Sequence, residues 1–131
     1  MRARTVCAQL LVSALFLILV DRALRQAQAA DPAAGQAVYQ SECAICHSPK
    51  PDVNKIGPSL FGVVGRKTGS VPGYKYSVAN KNSNITWTPE ILDKFLESPE
   101  SVVPGTKMPY DGLKNPTERA NLIGYLETLT K

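Results

Sequence analysis

Two cysteines and a histidine stand close together at Cys43, Cys46 and His47, in the order Cys-Ala-Ile-Cys-His. On a helical turn, cysteines three residues apart face the same side, so both sulfurs can bond to the two vinyl groups of one porphyrin. The adjacent histidine is then placed to reach the central iron from one face. A Cys-x-x-Cys-His run is the attachment signature of a c-type haem, and we interpret it in that way.

Two other kinds of site also use closely spaced cysteines. A structural zinc ion requires four ligands, whereas Cys43, Cys46 and His47 are the only cysteines and histidine after Cys7. A thioredoxin-like dithiol would open a helix that follows a strand, and no alternating strand and helix pattern surrounds this one. Both interpretations fit the sequence less well than haem does.

Met108 is inferred by elimination to be the second axial ligand of the iron. His47 is the only histidine in the chain, and the only other methionine is Met1. Met108 lies in Pro-Gly-Thr-Lys-Met-Pro, residues 104–109, which suits neither helix nor strand. Lys107 is the nearby alternative ligand at high pH, where its amine loses its proton. Histidine and methionine together raise the reduction potential of haem iron and leave no axial position for a substrate, which predicts an electron carrier and not an enzyme.

An export signal precedes this site. Arg2 and Arg4 supply positive charge, eleven largely apolar residues follow at 10–20, and Ala-Gln-Ala at 27–29 fits the pattern that signal peptidase cleaves. The apolar run is shorter than the roughly 18 residues of a membrane span. We therefore predict a secretory signal peptide at 1–29, cleaved after Ala29 or Ala30, and one domain at 30–131 in the periplasm. An uncleaved N-terminal anchor is the alternative.

The charge and cysteine content change when the leader is removed. The whole chain carries +4 at pH 7, and four arginines and one aspartate lie in the leader, so the mature domain is near +1. This balance does not favour nucleic-acid binding. Cys7 leaves as well, so only Cys43 and Cys46 reach an oxidising compartment, where an unused thiol would be a liability.

One helix is predicted before the long segment at 48–84 and another after it. The first has Asp31 as its N-cap and Pro32 at its first position, and it runs toward Cys43. The second begins at Thr88-Pro89, carries apolar residues on its inner side and stops before Pro99. The first helix therefore leads directly into the Cys-x-x-Cys-His run.

A third helix closes the chain. Asn115 is its N-cap, Pro116 follows, and Glu118 holds the capping-box position. Its apolar residues recur at helical spacing: Leu122, Ile123, Leu126 and Leu129.

Residues 48–84, by contrast, are rich in Gly, Pro, Asn and Ser, and a loop of that length is usually functional or wrapped around a ligand. We predict an all-α fold with long loops around a cofactor.

These residues resemble the class I c-type cytochromes, in particular mitochondrial cytochrome c and its soluble bacterial relatives. The likeness extends from residue 35 to residue 129. It is carried by CAICH at 43–47, GPSLFGVVGRKTG at 57–69, PGYKYSVANKN at 72–82, ITW at 85–87, PGTKM at 104–108 and ERANLIGYL at 118–126. It implies the class I cytochrome c fold, with three main helices and long loops wrapped around one covalently attached haem c.

The resemblance also implies which residues hold the haem. The Pro58 carbonyl would accept a hydrogen bond from the ring of His47 and fix its tautomer. Arg66, Tyr76 and Trp87 would pair with the haem propionates and offset the cost of burying their charge.

Further residues are placed beside Met108 and in the pocket wall. Asn80 and Thr106 would organise polar contacts next to Met108. Gly35 would let the first helix cross the third closely. The remaining implied packing residues are Tyr39, Leu60, Leu96, Leu122, Tyr125 and Leu126.

The function implied by the resemblance is that of a soluble, monomeric one-electron carrier between membrane-bound respiratory or photosynthetic complexes. A cytochrome bc complex would be the donor, and an oxidase, a reductase or a photosynthetic reaction centre the acceptor. The carrier would bind no nucleic acid and would touch membranes only through these partners. The alternative is a haem peroxidase or gas sensor in which Met108 is a labile ligand.

Several positions depart from the mitochondrial group. Phe95 stands where that group usually has a tyrosine, so no hydroxyl reaches the sulfur of Met108. Glu100, Ser101 and Asn115 replace lysines around the docking side. We therefore expect fewer lysines around the docking side than in the mitochondrial group, and a weak salt dependence of electron transfer.

Overall fold

The computed structural model describes residues 29–130. The signal peptide predicted at 1–29 lies outside the described residues, except for its last residue. Within these residues, five α-helices run in the order α1 Pro32–Val38, α2 Val78–Asn82, α3 Pro89–Glu97, α4 Pro99–Val102 and α5 Pro116–Thr128, and a π-helical turn at Tyr39–Cys43 follows α1. The described part of the chain contains one isolated antiparallel bridge, Lys67 with Thr86, and no longer strand, so the predicted all-α class is confirmed. Among residues 29–130, no helix combines the length and the apolar character needed to cross a membrane.

The start of α1 follows the predicted capping pattern. The Asp31 side chain accepts hydrogen bonds from the backbone N–H groups of Ala33 and Ala34, and Pro32 occupies the first turn. Beyond Val38 the helix widens into the π-helical turn, in which the Ala44 N–H donates to the Tyr39 carbonyl at 2.9 Å. This turn delivers the chain into the Cys-x-x-Cys-His run.

The helix α3 begins and ends where the sequence predicts. The Thr88 hydroxyl caps it by accepting from the Ile91 N–H, and it ends at Glu97. Pro99 then opens a further short helix, α4, because proline is tolerated in a first turn where its missing N–H has no partner to lose. This helix and α2, which interrupts the long loop predicted at 48–84, were not predicted.

The helix α5 is capped by Asn115, whose side chain accepts from the N–H groups of Thr117 and Glu118. Its buried side includes Leu122, Ile123 and Leu126, as the helical spacing indicates, but also Arg119. The Arg119 guanidinium donates to the Asp93 carboxylate of α3 at 2.8 Å. The buried charge is thereby paired, and α3 and α5 are joined.

The helices α1 and α5 cross with almost no space between their backbones. A Cβ atom on Gly35 would lie 1.9 Å from the Asn121 carbonyl oxygen, so only glycine fits there. The Asp31 N–H donates to Asn121 Oδ1 at 2.8 Å, and the rings of Tyr39 and Tyr125 pack with centroids 5.4 Å apart. This crossing fixes the direction in which the chain enters the Cys-x-x-Cys-His run.

Candidate functional site

All of the site residues predicted from the sequence line one cavity: Cys43, Cys46, His47, Pro58, Arg66, Tyr76, Asn80, Trp87, Thr106 and Met108. The remaining wall is mostly apolar and includes Leu60, Val63, Leu92, Phe95, Leu96 and Leu126. A cavity with apolar walls and a few polar groups suits a large, flat, mainly apolar ligand.

Cys43 and Cys46 are both free and half-buried in the cavity wall. The N–H groups of Cys46 and His47 donate to the Cys43 carbonyl at 3.1 and 2.8 Å, so the motif is wound as a helical turn. Burial chiefly, with smaller contributions from Glu42 and Cys46, raises the pKa of Cys43 to about 12. A redox-active dithiol needs a thiolate with a depressed pKa, so this environment argues against that alternative.

His47 is fixed in one tautomer by its contact with Pro58. The ring Nδ1 lies 2.7 Å from the Pro58 carbonyl oxygen, and because a carbonyl only accepts, Nδ1 carries the proton. Burial, assisted by Lys55 and Arg66, lowers the pKa of His47, although the bond to Pro58 opposes the shift. The lowered pKa favours the neutral ring and the bond to Pro58 places its proton on Nδ1, so that Nε2 keeps the lone pair with which imidazole binds metals.

Gly57 shapes the pocket behind His47 and was not singled out from the sequence. A Cβ atom at this position would lie 2.3 Å from Cε1 of His47 and within 2.7 Å of both ring nitrogens. The Gly57 N–H also donates to the Cys46 carbonyl at 2.7 Å. A glycine immediately before Pro58 was the available signal, but only the folded loop shows which ring it approaches.

The loop that carries Met108 is shaped by hydrogen bonds of its own. The Met108 N–H donates to the Thr106 hydroxyl oxygen, which in turn donates to Asn80 Oδ1, each at 3.3 Å. The Gly105 N–H donates to a carboxylate oxygen of Glu100 at 2.8 Å. Asn80 and Thr106 therefore lie where the resemblance places them, next to the half-buried thioether.

The polar part of the cavity contains a buried donor that lacks an acceptor. Arg66 donates through its two terminal nitrogens to the carbonyls of Phe61 and Ser59, at 2.7 and 2.9 Å. Its Nε is buried and has no hydrogen-bond partner among the described residues. Tyr76, whose hydroxyl accepts from the Val71 N–H at 3.4 Å, lines the same cavity. A buried guanidinium donor without a partner is costly, and a ligand carboxylate would satisfy it.

These groups together fit a haem c. Two adjacent thiols are available for the vinyl groups, a neutral imidazole and a thioether for the iron, and an unsatisfied Arg66 nitrogen for a propionate. The zinc alternative finds no support, because within residues 29–130 no three His, Cys, Asp or Glu residues are grouped so that they could hold a metal ion.

Phe95 completes the wall beside this site. Its ring packs against Trp87 with centroids 4.7 Å apart, and both rings are buried. Phe95 brings no hydroxyl into the cavity that Met108 also lines.

Comparison with known proteins agrees with this geometry. The family model described as Cytochrome c matches residues 32–130. The chain is 52% identical over 99 residues to cytochrome c2 of Rhodopila globiformis, a match that covers 76% of this chain and 93% of that protein. It is 48% identical over 99 residues to cytochrome c of Euglena viridis, covering 76% and 97% of the two chains. Among solved structures, cytochrome cH from Methylobacterium extorquens is similar, with a TM-score of 0.70, 40% identity and coverage of 75% of this chain and 98% of that one. The matched segment contains every residue that lines the cavity.

Proposed function

Because this chain belongs to the cytochrome c family and carries one covalently attached haem c, we propose that it is a soluble shuttle that moves single electrons between membrane-bound redox complexes. The haem supplies the iron couple, Fe2+ and Fe3+, that stores the electron. The protein holds the haem, sets the preference of the iron for one charge state and excludes competing ligands.

The proposal rests on the placement of His47 and Met108 in the wall of one cavity. Each belongs to a segment with its own hydrogen bonds, to Pro58 in one case and to Thr106 in the other. A peroxidase or gas sensor requires Met108 to leave the iron, and the bonds of its loop oppose that movement. We propose that His47 and Met108 would both hold the iron, and two such protein donors favour a carrier over a catalyst.

The surrounding residues favour the reduced form. A neutral thioether stabilises ferrous over ferric iron. The buried aromatic and aliphatic wall, which includes Trp87, Phe95 and Leu96, keeps water away and disfavours the extra charge of the ferric form. We expect a positive reduction potential for these reasons.

A spectrum of the purified protein tests the proposal. We expect a low-spin haem, a weak red-region band from sulfur bound to ferric iron, and no spectral change when carbon monoxide is added to the reduced form. Rapid carbon monoxide binding would overturn the carrier and favour the peroxidase or sensor.

We also propose that the protein works in the periplasm after residues 1–29 are removed. Support comes from the leader pattern in the sequence and from the position of α1, which begins at Pro32, just after the predicted cleavage after Ala29 or Ala30. Mass spectrometry of the protein isolated from its source should give the mass of the shortened chain plus one haem. A mass that includes the leader would show an anchored form.

The proposed partners are a cytochrome bc complex as donor and an oxidase, reductase or photosynthetic reaction centre as acceptor. Among the residues that line the cavity, Glu42 and Lys107 are exposed charges of opposite sign, and the Ile56 side chain is 69% exposed. Charges of both signs beside an exposed apolar side chain suit a partner face that is itself partly apolar.

Electron transfer to a membrane partner should therefore depend only weakly on salt. Between 50 and 200 mM salt we expect the rate to change by less than about threefold, because few unscreened charges attract the partner. Ser101→Lys should steepen the dependence toward an acidic partner, and Ser101→Gln, which adds length without charge, should not. A steep decline with salt in the unmodified protein would contradict this prediction.

A further inference from the structure

A hydrogen bond connects two distant parts of the chain at the edge of the cavity. The Tyr110 hydroxyl donates to Oε2 of Glu42 at 3.0 Å, across 68 residues of sequence. Glu42 immediately precedes Cys43, Tyr110 lies two residues after Met108, and both side chains line the cavity. The bond therefore joins the segment that attaches the haem to the loop that carries the methionine.

The two ends of the Met108 loop, residues 104–114, are hydrogen-bonded to other parts of the protein. Its beginning is held by Glu100 and Asn80. Its end is held by the Leu113 N–H, which donates to the Leu96 carbonyl at 2.8 Å, and by α5, where Arg119 donates to the Leu113 carbonyl at 2.9 Å. In the described part of the chain, the Tyr110–Glu42 bond is the one hydrogen bond between this loop and residues 29–47.

The middle of the loop, residues 109–112, forms few other hydrogen bonds, although Gly112 packs against the Glu97 backbone. Proline at 109 has no N–H, and the Tyr110 N–H donates only to the Met108 carbonyl within the loop, at 3.0 Å. Within the described structure, the Tyr110 hydroxyl makes the one hydrogen bond that residues 109–112 form to any residue outside the loop. This stretch directly follows Met108, so its movement would carry the thioether outward.

We propose that the Tyr110–Glu42 hydrogen bond is a latch that closes the Met108 loop over the cavity and slows the release of Met108 from the iron. The inference rests on the proposed ligation of iron by Met108. Tyr110 and Glu42 act as positioning residues through the loop, and neither needs to touch the iron.

Imidazole binding to the ferric holoprotein measures how often the loop releases the sulfur. Imidazole is used at pH 8, where it is mostly neutral, so a change of charge at Glu42 does not alter its attraction to the site. Tyr110→Phe and Glu42→Ala should each increase the affinity for imidazole about fivefold, the effect expected for the loss of one hydrogen bond at an accessible site. Glu42→Gln, which keeps an acceptor oxygen, should retain most of the wild-type behaviour. The double variant Tyr110→Phe/Glu42→Ala should resemble either single variant, because only one bond is lost.

Two variants control for general loosening of the fold. Tyr125→Phe removes a tyrosine hydroxyl on α5, and Glu127→Gln removes an exposed charge on the same helix; both should bind imidazole as the wild type does. Unchanged imidazole binding in Tyr110→Phe and Glu42→Ala, or additive effects in the double variant, would overturn the latch. Failure of the ligation itself would appear differently, since the wild type would then lack the red-region sulfur band.

Discussion

Replacing Met108 with alanine is expected to lower the reduction potential by roughly a tenth of a volt or more, a modest part of the 0.8 V or so that axial ligands span. Without the thioether, the preference of the iron for the ferrous state is lost, and one axial position opens. Voltammetry should show the lower potential, and the reduced variant should bind carbon monoxide. The red-region band of the ferric protein should disappear.

A matched variant separates the ligand from its packing. Leu113 is half-buried in the same loop and packs against the core, so Leu113→Ala removes apolar contact and keeps the sulfur. We expect Leu113→Ala to lose stability while its potential and its red-region band stay near those of the wild type. If Met108→Ala matched the wild type in potential and in its response to carbon monoxide, Met108 would not be the ligand.

Gly57→Ala is expected to displace His47 and to destabilise the holoprotein by about 2 kcal/mol or more, since overpacking alone typically costs 1–3 kcal/mol. The added methyl group would stand 2.3 Å from Cε1 of His47, so either the ring or the loop at 57–58 must move. Movement of either breaks the bond between His47 and Pro58 that orients the ring. Denaturant unfolding and the absorption spectrum together should show lower stability and altered ligation.

Gly62→Ala provides the comparison for Gly57→Ala. Gly62 has a positive φ of 62°, and nothing lies within 4 Å of the position where its Cβ would be, so an alanine there adds backbone strain without a collision. We expect Gly62→Ala to cost about 1 kcal/mol and to leave the spectrum unchanged. An unaltered spectrum in Gly57→Ala, with a stability loss no larger than that of Gly62→Ala, would show that the ring is not confined as described.

The sequence revealed the centre of the site because its residue types are rare in this chain. A single histidine, one methionine beyond the first residue and two cysteines after the predicted leader leave few alternative ligands. The helix starts were equally accessible, since Asp31, Thr88 and Asn115 are each followed by proline and cap locally. Local capping needs no knowledge of the rest of the fold.

The long loop at 48–84 shows what could not be predicted. Asn54 donates through its side chain to the Pro72 carbonyl at 2.9 Å, and the Tyr74 hydroxyl donates to the Ile56 carbonyl at 2.8 Å, each across 18 residues. Asparagine and tyrosine are suited to such bonds, but their partners depend on how the loop closes and not on any sequence period. The buried Arg119 and the Tyr110–Glu42 bond escaped prediction for the same reason.

The π-helical turn at Tyr39–Cys43 sets the angle about the helix axis between the side chains that face α5 and those that face the cavity. Tyr39 packs against α5, whereas Cys43 and Cys46 line the cavity, and the turn supplies one more residue per revolution than an α-helix. If residues 39–43 kept their number but were wound as an α-helix, everything downstream would be rotated by about 100° about the helix axis. The crossing with α5 would survive, while Cys43 and Cys46 would turn away from the cavity, so the winding of this one turn decides whether both thiols could hold a haem there.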